Sequence, residues 1–207
     1  SSPLISTVLV GATAIVQLGN EAQKQDLLPK IVAGELLTAL ALDEHASHNP
    51  SKIATTATKV GGGYALNGSK TFVLDGHIAN VLIVAARTSG ETIGEQGISL
   101  FLVDANAEGL NVVRTIMVDS RNSSNIQFNN VVVAEDALLG ELDQGFNGLD
   151  SVLDIARIGI AAEMLGSMQA VFESILEFLK QREQFGVLIG SFQGLQHRAA
   201  EMYSEIE

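Results

Sequence analysis

Apolar residues recur three or four apart at both ends of this chain and alternate with polar ones in between, and the change of period divides it. Over residues 146–180, Leu149, Val152, Leu153, Ala156, Ile160, Met164, Met168, Val171, Ile175 and Leu179 keep the spacing of one long amphipathic helix with no proline inside. Gly186 and Gly190 offer a stop, Ser191 a side-chain oxygen for the next helix N-terminus, and Leu195, Ala199, Met202 and Ile206 restart the period. Two antiparallel helices joined by a short turn are therefore predicted. At the other end Ile5, Val8, Leu9, Ala12, Ile15 and Val16 form an apolar helical face. Gly19 ends it, and Asn20 caps a second helix with Glu21 in its first turn.

Between these blocks, from Leu37 to about Leu139, the period falls to two and β-branched residues dominate. Gly61-Gly62-Gly63 and Asn67-Gly68 read as hairpin turns. Strands are predicted at 81–86, 98–103, 110–113 and 125–132, a number that suits a small sandwich or barrel. The fold class is α+β: a helical segment at 1–36, a β-sandwich or barrel at 37–144, and helices at 145–207.

Composition narrows the function. Twelve basic against 24 acidic residues give a formal charge of -12, which repels a phosphate backbone, so nucleic acid is excluded as a partner. The chain has no cysteine, which removes disulfides, thiolate metal sites and thiol nucleophiles. The triple glycine is followed by no Gly-Lys-Ser/Thr, and no Gly-x-Ser-x-Gly elbow occurs. His45 and His48 are spaced for a shared metal only on a helix, and Ser47, Asn49 and Pro50 place them in a loop; no metal is expected. Apolar stretches are broken by charges and turn residues, so no membrane span is expected, and Ser1-Ser2-Pro3-Leu4 lacks the basic start of a signal peptide. A cytoplasmic protein is the expectation. The chain opens without methionine and ends inside a helical pattern, reading as a segment of a longer polypeptide.

Chemistry concentrates at the predicted helix-helix turn. Arg182, Gln184, Phe185 and Gln193 offer a guanidinium, two amides and an aromatic ring, a set suited to a phosphate-bearing, partly aromatic ligand. The run Arg182-Glu183-Gln184-Phe185-Gly186, then Ser191-Phe192-Gln193 and Gln196-His197-Arg198-Ala199-Ala200-Glu201-Met202, resembles the acyl-CoA dehydrogenase family. Asn20 to Lys24, Leu28-Pro29-Lys30 and Gly34-Glu35 extend the resemblance.

The resemblance implies a flavoprotein: the end of an N-terminal helical domain, a middle β-domain, and the first two helices of a four-helix bundle that is otherwise incomplete. It implies FAD as cofactor, an acyl-CoA as substrate, and a homo-oligomer, dimer or tetramer, in which Arg182, Gln184, Phe185 and Gln193 meet flavin held mainly by a neighbouring subunit. Electron-transfer flavoprotein is the implied electron acceptor. The implied reaction removes an α-proton with a carboxylate while the β-hydride passes to the flavin.

Leu42-Asp43-Glu44-His45 and His48-Asn49 stand where the family usually carries Thr-Glu-Pro and Gly-Ser-Asp; only Glu44 is kept. Lys70-Thr71-Phe72-Val73-Leu74-Asp75-Gly76 matches its Lys-x-Trp-Ile-Thr-Asn-Gly, with Phe72 in place of the tryptophan that covers one flavin face. Leu74 replaces the threonine that bonds the flavin edge and has no donor. Leu42, Asp43, Phe72, Val73 and Leu74 are thus the implied cofactor contacts, and Asn49, Asp154 and Arg157 the implied substrate contacts. The resemblance implies a base that many members carry on a glutamate downstream of Glu207 and some on the long helix, at a position that aligns with Ala156, so no catalytic residue is assigned, and Glu163 reads as a helix-surface glutamate. The 207-residue chain alone is expected to bind FAD weakly or not at all and to lack turnover. A non-catalytic flavin-holding or structural subunit is the alternative, and an acyl-CoA oxidase a third reading.

Overall fold

The computed structural model describes residues 2–207, in two compact units that divide between Ala156 and Arg157. The first opens with a π-helical segment, Leu4–Ala12, running into α1, Thr13–Leu18, and then α2, Glu21–Val32. Asn20 caps α2 as its sequence predicts. Its Oδ1 accepts from the Gln23 amide at 2.9 Å, and Gln23 Oε1 accepts from the Asn20 amide at 3.0 Å, a reciprocal capping box. Gln23 Nε2 also donates to the carbonyls of Asp136 and Leu138, which ties the opening helices to the end of the strand region.

Eight strands follow: β1 Thr38–Ala41, β2 Thr56–Val60, β3 Gly63–Leu74, β4 Val81–Arg87, β5 Ile98–Asp104, β6 Leu110–Ile116, β7 Asn122–Ala134 and β8 Leu138–Leu139. They form one mixed sheet in the order β6-β7-β3-β2-β4-β5-β8, with β1 parallel to β4. The link between β2 and β4 is a single pairing, Thr56 with Arg87. The sheet folds over at this thin joint. Tyr64 of β3 and Phe101 of β5, which are not neighbours in the strand order, meet with ring centroids 5.0 Å apart inside the core.

Strand β4 is buried on both faces, and its residues sort by parity. Leu82, Val84 and Ala86 enter the core between the sheet halves with Leu66, Phe101, Val103, Ile126 and Phe128. Ile83 and Ala85 face a second core built with Val10 and Ala14 at one end of the chain and Leu149, Val152, Leu153 and Ala156 of the long helix α3, Gly145–Gln181. A strand packed on both sides has no polar face, which explains its unbroken apolar run.

Gly61-Gly62 makes the hairpin turn between β2 and β3, but Asn67-Gly68 does not turn the chain: both lie inside β3. The expected hairpin there is a bulge. The register changes between Leu66 and Gly68 because β7 carries the extra residue, with Asn129 and Asn130 opposite Asn67, and the Asn130 amide donates to Asn67 Oδ1 at 2.8 Å.

Arg87 organises the loop after β4. Its side chain is buried and donates to the carbonyls of Ser51, Ile53, Thr92, Gly94 and Gln96, so one guanidinium gathers two loop segments.

The second unit holds the rest of α3, a two-stranded hairpin of β9, Glu183–Gln184, and β10, Val187–Leu188, and α4, Gln193–Ile206. Phe172 is buried there and packs near Tyr203, ring centroids 6.1 Å apart. Ile158, Met164, Val171 and Phe178 are exposed. Among the described residues α3 is the one helix long and apolar enough to cross a membrane by length and composition, with mean hydropathy 1.2. No such stretch was expected from the interrupted apolar runs; the charged interruptions in α3 are few enough that its mean hydropathy stays high. A core helix of a soluble protein meets the same criterion.

Candidate functional site

Two loops of the first unit lie side by side. One follows β1 and carries Leu42, Asp43, Glu44 and His45; the other is the end of β3, from Lys70 to Gly76. The Thr71 amide donates to the Asp43 carbonyl at 2.7 Å, and Thr71 Oγ1 donates to the His45 carbonyl at 3.3 Å.

Beneath them Lys70 is fully buried. Its Nζ donates to Glu44 Oε1 at 2.8 Å and to the Leu42 carbonyl at 2.9 Å. The same carboxylate accepts from the amides of Ala54 at 2.7 Å and Thr55 at 2.9 Å. Burial pushes the Lys70 ammonium down to about 8, with the Glu44 charge and hydrogen bond opposing the shift. Burial alone raises the Glu44 carboxyl, but the Lys70 charge and the hydrogen bonds from Lys70 and Thr55 bring it below its ordinary range. The two partners differ in that burial wins at the lysine and attraction at the glutamate. Both are charged at neutral pH: each faces the opposite charge, and the carboxylate accepts from Lys70 and from the amides of Ala54 and Thr55.

In the sequence Lys70 stands out only as the first residue of a motif. Parity was the available signal: it falls in step with the inward residues Tyr64 and Leu66, and the bulge at Asn67 leaves β3 in phase because the extra residue is on β7.

A second bulge sits on β3 itself. Lys70 pairs with Ile126 and Val73 with Ser124, so Thr71 and Phe72 stand opposite Asn125 alone. Phe72 takes the extra place with φ at 51°, a left-handed conformation unfavourable for a bulky side chain, and is 55% exposed. Its amide donates to Asn125 Oδ1 at 3.3 Å. After the bulge the phase reverses. Val73 and Asp75 turn inward, while Leu74 is half-buried. Asp75, also left-handed, accepts from the buried Ser6 hydroxyl at 2.5 Å, and its amide donates to the Asn122 carbonyl at 3.0 Å.

The sequence-predicted residues divide accordingly. Phe72 presents its ring to solvent. Leu42 and Val73 have buried side chains, which leaves only their main chain to offer a ligand. The Asp43 carboxylate is engaged by His48 Nδ1 at 2.9 Å and by the Asn49 amide at 3.3 Å, so His48 orients the loop. Asn49 Oδ1 accepts from the Ser51 hydroxyl. Among the described residues no group of three or more His, Asp or Glu side chains is arranged to hold a metal. Asp154 is exposed on α3, whereas Ala156 is buried in the second core.

In the second unit, Arg182, Gln184, Phe185 and Gln193 are all exposed, as is Arg157 at its start. The hairpin turn is Phe185-Gly186, with φ at 55° and 79°, the pattern of a two-residue turn with both central residues left-handed. That turn holds Phe185 out at 93% exposure, with the Phe192 ring edge-on at 6.3 Å between centroids. Ser191 does not cap α4 as its position suggested: Phe192 is the N-cap residue, and the Ser191 hydroxyl donates back to the Leu188 carbonyl. The 3₁₀ turn Ile189–Ser191 places that hydroxyl over the preceding turn.

The donor sets suit an aromatic, phosphate-bearing cofactor. The first unit has the partly exposed Phe72 ring, and the second by itself an exposed guanidinium, amides and a ring.

Comparison with known proteins points to one family. The model of the acyl-CoA dehydrogenase middle domain matches residues 39–131, and that of the acyl-CoA dehydrogenase C-terminal domain residues 143–207. An acyl-CoA dehydrogenase of Bacillus subtilis is 38% identical over 202 residues, covering 96% of this chain and 53% of that protein. Isovaleryl-CoA dehydrogenase of Solanum tuberosum is 36% identical over 197 residues, covering 93% of this chain and 48% of that one. Butyryl-CoA dehydrogenase from Megasphaera elsdenii superposes with a TM-score of 0.92 at 34% identity, over 99% of this chain and 54% of that structure. The chain spans about half the length of the relatives it matches.

Proposed function

The chain belongs to the acyl-CoA dehydrogenase family, and from that premise we propose that it supplies part of an FAD site serving the α,β-dehydrogenation of an acyl-CoA thioester. The observation that carries the reading is Phe72: a bulged, left-handed main chain presents an aromatic ring to solvent beside the loop from Leu42 to His45. A strained residue that exposes an apolar ring has no evident stabilising role, and it fits a planar ligand.

FAD, when bound, supplies the hydride-accepting chemistry. The protein's part is placement. Phe72 covers a ring face, and the main chain of Leu42, Asp43, Val73 and Leu74 lines its edge. Leu74 makes that edge less polar than a threonine does. Arg182, Gln184, Phe185 and Gln193 serve a flavin carried by a neighbouring copy, in a homo-oligomer. Asn49, Asp154 and Arg157 serve the acyl-CoA, and electron-transfer flavoprotein takes the electrons.

Ala156 leaves the base position of the long helix without a proton acceptor. Leu74 and the replaced Gly-Ser loop at His48-Asn49 favour the second reading, a flavin-holding partner of an active homologue. Titration of FAD into the protein, followed by quenching of flavin fluorescence, tests the site. We expect weak saturable binding that falls about tenfold in Phe72→Ala, the loss of roughly 1.4 kcal/mol of ring contact. Binding indifferent to Phe72→Ala overturns the placement. With a panel of acyl-CoAs and an artificial acceptor no turnover is expected; robust turnover overturns the view that this chain lacks a base.

A further inference from the structure

Two loops assigned to the flavin meet over one buried ion pair. Lys70 lies directly before the bulge that extrudes Phe72, and Glu44 directly after Leu42 and Asp43. The Lys70 side chain has no exposed surface and that of Glu44 only 6%. Every contact they make crosses between chain segments: Nζ to the Leu42 carbonyl, Nζ to the Glu44 carboxylate, and the carboxylate to the amides of Ala54 and Thr55. Alongside, the Thr71 amide reaches the Asp43 carbonyl.

A buried ion pair adds little net stability over an apolar packing of the same volume, since desolvation offsets attraction. What it adds is directionality, because displacing either loop strands a charge. We infer that Lys70 and Glu44 are positioning residues: their pair clasps the loop after β1 against the bulged end of β3 and so fixes the spacing of the two flavin-facing segments. This rests on the flavin reading for its purpose but not for its mechanics.

The bulge makes the clasp necessary. A residue forced out of the ladder loses its cross-strand hydrogen bonds, and the strand beyond is free to slip by one position. Lys70 is the last residue paired before the bulge, so anchoring it to Leu42 and Glu44 fixes where the bulge begins.

Amide hydrogen exchange on the 207-residue chain tests the mechanics in Lys70→Met, Glu44→Gln and Lys70→Arg. Lys70→Met is expected to speed exchange at least tenfold at Ala54, Thr55 and Thr71 while leaving β4 and β5 unchanged. Glu44→Gln, which keeps an acceptor but no charge, and Lys70→Arg, which keeps charge and donors, are expected to lie between it and the parent. If Lys70→Met does not fold, these two carry the test. Rates at the three amides within twofold of the parent, or a uniform loss of protection over all strands, overturn the clasp. FAD titration provides the second readout. The variants are expected to bind at least tenfold more weakly and to lose the shift in the bound flavin's visible spectrum. Phe72→Ala is expected to weaken binding with loop exchange intact. A parent chain that takes up no FAD on its own removes this second readout, and exchange alone then decides the clasp.

Discussion

Replacing Arg87 with methionine removes five carbonyl contacts at one stroke while keeping most of the apolar stem. The acceptors do not suffer equally. The Ser51 and Thr92 carbonyls also accept from the amides of Gly94 and Ile53, so they keep a partner. The Gln96 residue is exposed and can turn to water. The Ile53 and Gly94 carbonyls, on a buried and a half-buried residue, lose the donor given to them here. At roughly 1–3 kcal/mol for each acceptor stranded away from water, the loss is about 3 kcal/mol. For a chain of this size that corresponds to a melting point lowered by roughly 6–12 °C. Arg87→Lys places one charge but not the five-donor fork, and is expected to recover less than half of the loss. Urea denaturation followed by far-UV circular dichroism measures both variants. An Arg87→Met protein within about 0.5 kcal/mol of the parent refutes the claim that the guanidinium holds these segments together.

Two further outcomes follow from the same geometry. The Glu44 carboxyl is held below its ordinary value, so its contribution is present above about pH 4.3 and is lost as pH falls through the folded-state value. In denaturation measured from about pH 7 to 3, Glu44→Gln is expected to start less stable and to show a shallower acid decline; parallel curves count against the pair. A Cβ at Gly63 lies 2.0 Å from the Val133 carbonyl oxygen, a backbone atom that cannot rotate away. Gly63→Ala is expected to cost about 2 kcal/mol in urea, and a neutral result refutes the close approach of β3 and β7.

The periodic elements were legible because burial on one face writes itself into composition. The helices at both ends and strands β4 to β7 came from that signal, with strand ends extended by one to three residues, and the Asn20 cap from the hydrogen-bonding capacity of its side chain. The bulges were not legible. Asn67-Gly68 carries the usual composition of a hairpin turn, and only its partner strand, 63 residues on at Asn130, shows that the chain runs straight through. The same reason hid the exposure of Phe72, which depends on an extra residue counted against Asn125. Of the candidate site, the residue types on each loop could be read from sequence; that Leu42 and Val73 offer only main chain could not. Lys70 and Arg87 were hidden because long cationic side chains are normally left in water, and nothing local to them announces the carbonyls they reach.

Gln23 has a temporal consequence. Its amide nitrogen caps carbonyls 113 and 115 residues further along the chain, at Asp136 and Leu138. At ribosomal rates of about 5–20 residues per second, α2 waits on the order of ten seconds for that partner to emerge. Until then its apolar residues Leu27 and Leu28 have an incomplete surface to rest on, since Val81 and Leu102 of the same cluster also emerge later. Variants of Gln23 should therefore reveal themselves first in the yield of soluble protein made at speed, before any change in the melting of the finished fold.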